Sequence, residues 1–107
     1  MFAIAYDLDT DALKTHYHNS SYNNAYGDIR KFLEPRGFTW KQGSILYGND
    51  TVTMVSAVIA VSDMSRQFQW LKPCLTDIRI LQLLNNDDLM PAIESGSQAH
   101  QLAPAKI

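Results

Sequence analysis

Asp7 and Asp9 close the opening stretch MFAIAYDLD, in which Phe2, Ile4, Tyr6 and Leu8 alternate with Ala3, Ala5, Asp7 and Asp9. A period of two is that of a strand, so the carboxylates extend the face that carries the alanines. Small side chains let a second surface approach closely, and acids at the rim of such a patch can meet another chain or a metal ion. Asp7 is therefore the first candidate for chemistry. Asp77 and Arg79 are the second, alternating with Thr76, Ile78 and Ile80. Phosphodiester cleavage needs a placed nucleophile, charge stabilisation on the phosphate and often a metal. Asp7 and Asp77 offer hard oxygens, few in number, of the kind that suit Mg²⁺. Arg79 can meet a phosphate in bidentate fashion. Ser44 can bond a phosphate oxygen or fix the kink at Gln42-Gly43. The bland alternatives are a polar strand end for Asp7 and a structural ion pair for Asp77 with Arg79.

Other reactive types carry less. His16 and His18 flank Tyr17 and could act as acid and base near neutrality, but a spacing of two does not bring them together on a helix, and they read as solvated. Tyr22 and Tyr26 lie one turn apart and could stack bases, yet they coincide with an apolar stripe; they read as packing residues, as do Trp40 and Trp70. Cys74 reads as a small packing residue. Gly43 to Gly48 has phosphate-loop spacing, but Asn49-Asp50 stands where Lys-Ser/Thr is required, which excludes that loop. Lys31, Arg36 and Lys41, with Arg30, form either a modest basic edge for RNA or an ordinary solvated surface.

These residues must be positioned by one domain, because 107 residues leave no room for two cores. No apolar run reaches the ~18 residues of a membrane helix, and residues 1–6 lack the flanks of a signal peptide. A single cysteine excludes an internal disulfide and suits the cytoplasm. The net charge of −2 means that any nucleic-acid partner needs a local basic patch. After the first strand, Asp9-Thr10-Asp11 caps a short helical turn towards His16. A helix over 21–34 follows, stopped by Pro35 and Gly37. Strands are expected at 38–41 and 44–47. A helix over 51–64 is capped at Asp50 or Thr51, on the strength of its length and the Val55, Val58, Ile59 spacing. Trp70 to Pro73 reads as a loop and 75–84 as a fourth strand. Asp87 or Asp88 caps a short final helix. Residues 1–94 form the domain, and 95–107 are expected to be a disordered tail. The order gives an α+β fold, a ferredoxin-like βαββαβ sheet with both helices on one face. In it the fourth strand lies antiparallel beside the first, with Asp77 near Asp7, and the open face invites a homodimer packed sheet on sheet.

Several pieces occur in an order that resembles the virulence-associated protein D (VapD) family: residues 1–8, Ala25-Tyr26 with Asp28-Ile29, Gly37-Phe38 through Gln42-Gly43-Ser44, Trp70, and Asp77-Ile78-Arg79. The resemblance implies small bacterial proteins with a modified ferredoxin-like fold that form dimers. It further implies endoribonuclease activity, an association with virulence, and pairing with an antitoxin protein. It also implies likeness to the small nucleases of CRISPR spacer adaptation, which begin with a strand ending in Tyr-Asp and carry Gln-x-Ser later, as Gln42 and Ser44 do here. In those proteins the aspartates of two protomers face each other near the dimer axis and can hold a divalent ion; Asp7 matches that position. The resulting expectation is a homodimeric endoribonuclease acting on single-stranded RNA, with Asp7 central and metal dependence open. The alternatives are a non-catalytic dimeric nucleic-acid- or protein-binding module and a DNA nuclease.

Overall fold

The computed structural model describes the backbone of residues 1–102 and the side chains of residues 1–96. The alternation at the start forms β1 (Phe2–Leu8). Asp9 then caps α1 (Thr10–His16), its carboxylate accepting the Asp11 and Ala12 N–H groups and so satisfying two free donors of the first turn. The next helix, α2 (Asn24–Leu33), starts three residues later than its sequence signal and tightens into a 3-10 turn at Glu34–Arg36. Gly37 ends it at φ 96°, where a Cβ would also press on Val52 and Asn49. β2 (Phe38–Gln42) and β3 (Ile45–Gly48) follow, turned by Gly43 at φ 58°.

The helix expected over 51–64 forms as α3 (Met54–Gln67). Its cap is Thr53, not Asp50 or Thr51, because Thr53 and Ser56 satisfy each other's backbone N–H in a capping box. Val55, Val58 and Ile59, whose spacing signalled the helix, are more than half exposed, while Ala57, Ala60 and Met64 are buried. The stretch expected as a loop at 70–73 is instead a helical turn, α4 (Leu71–Cys74), seated by Leu71 and Cys74 in the core. β4 (Leu75–Gln82) ends two residues early. Asp88 accepts the Met90 N–H at the start of α5 (Met90–Leu102), which continues into the tail expected to begin at Ser95. Residues 103–107 lie outside the described residues.

The sheet is four-stranded and antiparallel, in the order β2-β3-β1-β4. Ile4, Tyr6, Phe38 and Leu46 form one core with Leu13 of α1, Ala25, Ile29, Phe32 and Leu33 of α2, Met64 of α3, and Trp70 and Cys74. Each large apolar side chain fully buried there contributes about 1.5–3 kcal/mol. Among the described residues, the helices of that core all lie on one face of the sheet. Ala3 is nonetheless fully buried on the opposite face, and Asn86, Asp87 and Asp88 come beside Lys41, Gln42 and Tyr47.

Two core tyrosines make the fold sensitive to alkali. Burial, with Tyr26 adding and Arg30 opposing, pushes the Tyr6 hydroxyl up to about 12. Burial, then a hydrogen bond donated to Asp28 and that carboxylate's charge, takes Tyr17 to about 12 as well. Both values stand above the ordinary 10, so their stabilisation is complete below pH 10 and is lost as pH climbs towards 12. The midpoint of urea unfolding is expected to hold between pH 8 and 10 and to fall between 10 and 12; a flat profile would contradict this.

Candidate active site on the face opposite the helices

Antiparallel register sets which side chains share a face. Ile4 lies opposite Ile80 and Tyr6 opposite Ile78, all towards the helices. One residue on, Ala5 lies opposite Arg79 and Asp7 opposite Asp77. Asp7, Asp77 and Arg79 therefore share the face away from the helices. The expectation that Asp77 falls beside Asp7 agrees with this register. Residues directly opposite on antiparallel strands have Cβ atoms about 4.5–5.5 Å apart, so two like charges there oppose pairing. The Arg79 Nε offsets this by donating to Asp77 Oδ2 at 2.9 Å. Asp7 is exposed, and its carboxylate forms no ion pair among the described residues.

Just beyond this pair the ladder slips: Asp7 pairs Asp77, but Leu8 pairs Leu75. Thr76 is the extra residue of a β-bulge, and its hydroxyl donates to the Asp7 carbonyl at 3.2 Å. Bulges re-aim neighbouring side chains, and this one fixes the end of β1 where Asp7 projects. Thr76 was expected to share a face with Ile78 and Ile80. The spacing of Leu75, Ile78 and Ile80, three and then two, is the signal that marks the bulge. A second bulge makes Lys41 the extra residue of β2.

Ser44 stands at the turn between β2 and β3, its carbonyl accepting the Tyr6 N–H at 3.1 Å. Continued from Ala5 opposite Ile45, the register sets Ser44 in the row of Tyr6, not that of Asp7. The sheet thus unites Asp7, Asp77 and Arg79 and leaves Ser44 one row away.

His16 and His18 are exposed, and the His18 ring packs against Tyr17 at a 37° tilt, 4.2 Å between ring centroids. Trp70 is buried as expected, but Trp40 is 41% exposed, because it sits on an edge strand with the Arg30 guanidinium 4.1 Å above its ring. Cys74 is buried, and burial, with Asp9 adding, pushes its thiol up, so it is a packing residue without thiolate character.

No group of three His, Cys, Asp or Glu side chains able to hold a metal forms among the described residues. Two solvent-accessible carboxylates on neighbouring strands, Asp7 exposed and Asp77 half-buried, still fit Mg²⁺, which keeps several waters and is commonly held by one or two carboxylates together with substrate phosphate.

No protein-family model matches the chain. It is 39% identical over 93 residues to Endoribonuclease VapD 2 of Riemerella anatipestifer, covering 87% of this chain and 99% of the relative. It is 42% identical over 94 residues to Endoribonuclease VapD homolog of Helicobacter pylori, covering 88% and 97%. The chain belongs to the VapD family. A third relative, Endoribonuclease VapD of Dichelobacter nodosus, is 36% identical over 94 residues, 88% of this chain and 98% of the relative. Thr76 and the 86–88 segment are the parts of this VapD surface that motif reading missed, since neither carries a motif.

No helix among the described residues is long and apolar enough to cross a membrane.

Proposed function

We propose that this chain is an endoribonuclease that cleaves single-stranded RNA, with Asp7 at the centre of its site. The observation that carries the reading is the Asp7–Asp77 pair on one exposed face with Arg79 beside it. The names of its VapD relatives support the same reaction. Asp7, which has no cationic partner among the described residues, accepts a proton from the attacking oxygen or orients it. Arg79 meets the phosphate with whichever donors its bond to Asp77 leaves free, and Asp77 holds that guanidinium in place. Ser44, one row away, positions the turn. Asp7 and Asp77 would hold Mg²⁺, which when bound neutralises phosphate charge and lowers the pKa of a water.

The strand order supports reading the sheet as ferredoxin-like. The small residues Ala3 and Ala5 on the face of Asp7 support a homodimer in which the two Asp7 side chains approach each other. A cytoplasmic setting, an antitoxin partner and a role in virulence belong to the same proposal, on the strength of the family resemblance.

The test is cleavage of an end-labelled single-stranded RNA by the full chain, in Mg²⁺ and in EDTA, with duplex DNA as competitor. Internal cuts that duplex DNA does not suppress support the reading, and loss in EDTA places the metal in it. Binding of RNA without any cut would favour the non-catalytic module, and preferential cutting of the DNA would favour the DNA nuclease.

A further inference from the structure

The outer face of α2 carries a glycine that packing does not demand. Gly27 lies in the interior of the helix without a positive φ, and a Cβ there would meet nothing within 4 Å. A helix-interior glycine costs about 0.5–1 kcal/mol relative to alanine. What its bareness provides is clearance. On one side of Gly27 lies a cleft of about 400 Å³ reaching to Thr39 and Trp40. On the other lies one of about 370 Å³ reaching to His18, Asn19 and Asn23. Gly27, Arg30 and Lys31 line both, so the two clefts form one trough across the helix.

The charge along this trough is not that of the whole molecule. Residues 28–41 hold Arg30, Lys31, Arg36 and Lys41 against Asp28 and Glu34, two positive charges in excess within a chain of net −2. Neither Arg30 nor Lys31 forms an ion pair among the described residues. The Asp28 carboxylate is taken up by the Tyr17 hydroxyl. The Arg30 guanidinium carbon sits over the Trp40 indole, 4.1 Å from the ring centroid, and the indole is itself anchored by its Nε1–H to the Gly43 carbonyl at 2.8 Å. A guanidinium fixed in this way presents its fork to a phosphate with little ordering left to do. At the other end, the side-chain amides of Asn23 and Asn24 are exposed and form no hydrogen bond among the described residues, which suits the exposed edges of unpaired bases.

Along the strand direction the trough opens at the same end of the sheet as Asp7. β2 begins at the end of the sheet opposite Asp7, since β2 and β1 both run antiparallel to β3. α2 therefore runs back along the sheet, and its first turn, with Asn23 and Asn24, lies at the Asp7 end but on the opposite face, so a strand leaving the trough reaches Asp7 by passing round that end of the sheet.

We propose that the α2 trough is a track for single-stranded RNA, with Arg30 and Lys31 on successive phosphates, Asn23 and Asn24 on base edges, and Gly27 leaving room for the strand to pass. This rests on the RNA reading of the Asp7 site.

The experiment is fluorescence-anisotropy titration of the full chain with a labelled single-stranded RNA in EDTA, from 50 to 300 mM salt. Each single-strand phosphate contact contributes about 0.7 to the slope of log affinity against log salt. The double variant Arg30→Gln with Lys31→Gln is expected to lose about 1.4 from that slope and to bind about 25-fold more weakly at 0.1 M salt. Gly27→Gln is expected to weaken binding with unchanged circular dichroism, and Gly27→Ala to raise stability, which separates blockage from misfolding. Wild-type affinity and slope in the double variant would overturn the track, and RNA cleavage retained by wild type would then leave the Asp7 reading standing. Binding lost in the variants of a protein that cuts no RNA would support the track and sink the catalytic reading. No RNA binding by wild type would overturn both.

Discussion

An Asp7→Asn protein is expected to cut single-stranded RNA about 10²–10⁴-fold more slowly than wild type, the range associated with removing a group that moves a proton in the transition state. Stability is expected to move the other way. Asp7 lies directly opposite Asp77 with no ion pair among the described residues, so neutralising it relieves a like-charge pair and adds a few tenths of a kcal/mol, up to ~1. The amide keeps the size of the carboxylate, and the Thr76 hydroxyl bonds the Asp7 backbone carbonyl, which the substitution leaves untouched. Single-turnover cleavage and a urea titration on the same preparation check both halves. Equal rates for the two proteins would remove Asp7 from the reaction. A loss of rate accompanied by a loss of several kcal/mol would make Asp7 a structural residue.

Phe38→Ala is expected to cost about 3–5 kcal/mol, a large share of the roughly 5–15 kcal/mol that hold a domain together. Phe38 is 1% exposed at the start of β2, opposite Gly48, where Val52 takes the space that a side chain would need. Gly48 cannot fill the space a truncation would leave, because any Cβ on it would meet Val52 at 2.9 Å and the Phe2 carbonyl at 3.1 Å. The cavity therefore persists instead of collapsing, which is the costly case. The measurement is the change in unfolding free energy from denaturant midpoints at constant slope; a loss under 1 kcal/mol would mean that the site repacks. Asp7 lies two strands away at the other end of the sheet, so the rate measured on the folded fraction is expected to stay near wild type.

What the sequence by itself determined is what neighbours along the chain decide. The alternation of Phe2, Ile4 and Tyr6 with alanine is a property of one strand, so the face of Asp7 could be read before any partner was known. The Asp9 cap, the stop at Pro35-Gly37 and the turn at Gly43 are equally local. The family resemblance rests on the same footing, being a matter of residues in order.

Only the tertiary structure decided what depends on approach between distant segments. α3 buries Ala57, Ala60 and Met64 and leaves Val55, Val58 and Ile59 outside. A three-four spacing announces a helix without saying which stripe faces the sheet, and close packing favours the stripe with small residues. Trp40, read as a packing residue, is turned to an edge where Arg30, ten residues earlier and on another element, covers it. The bulge at Thr76 exists only against β1, nearly seventy residues away in the chain. The α2 trough needs the loop after α1, the bare Gly27 and the edge of β2 at once, and folding alone brings those three together.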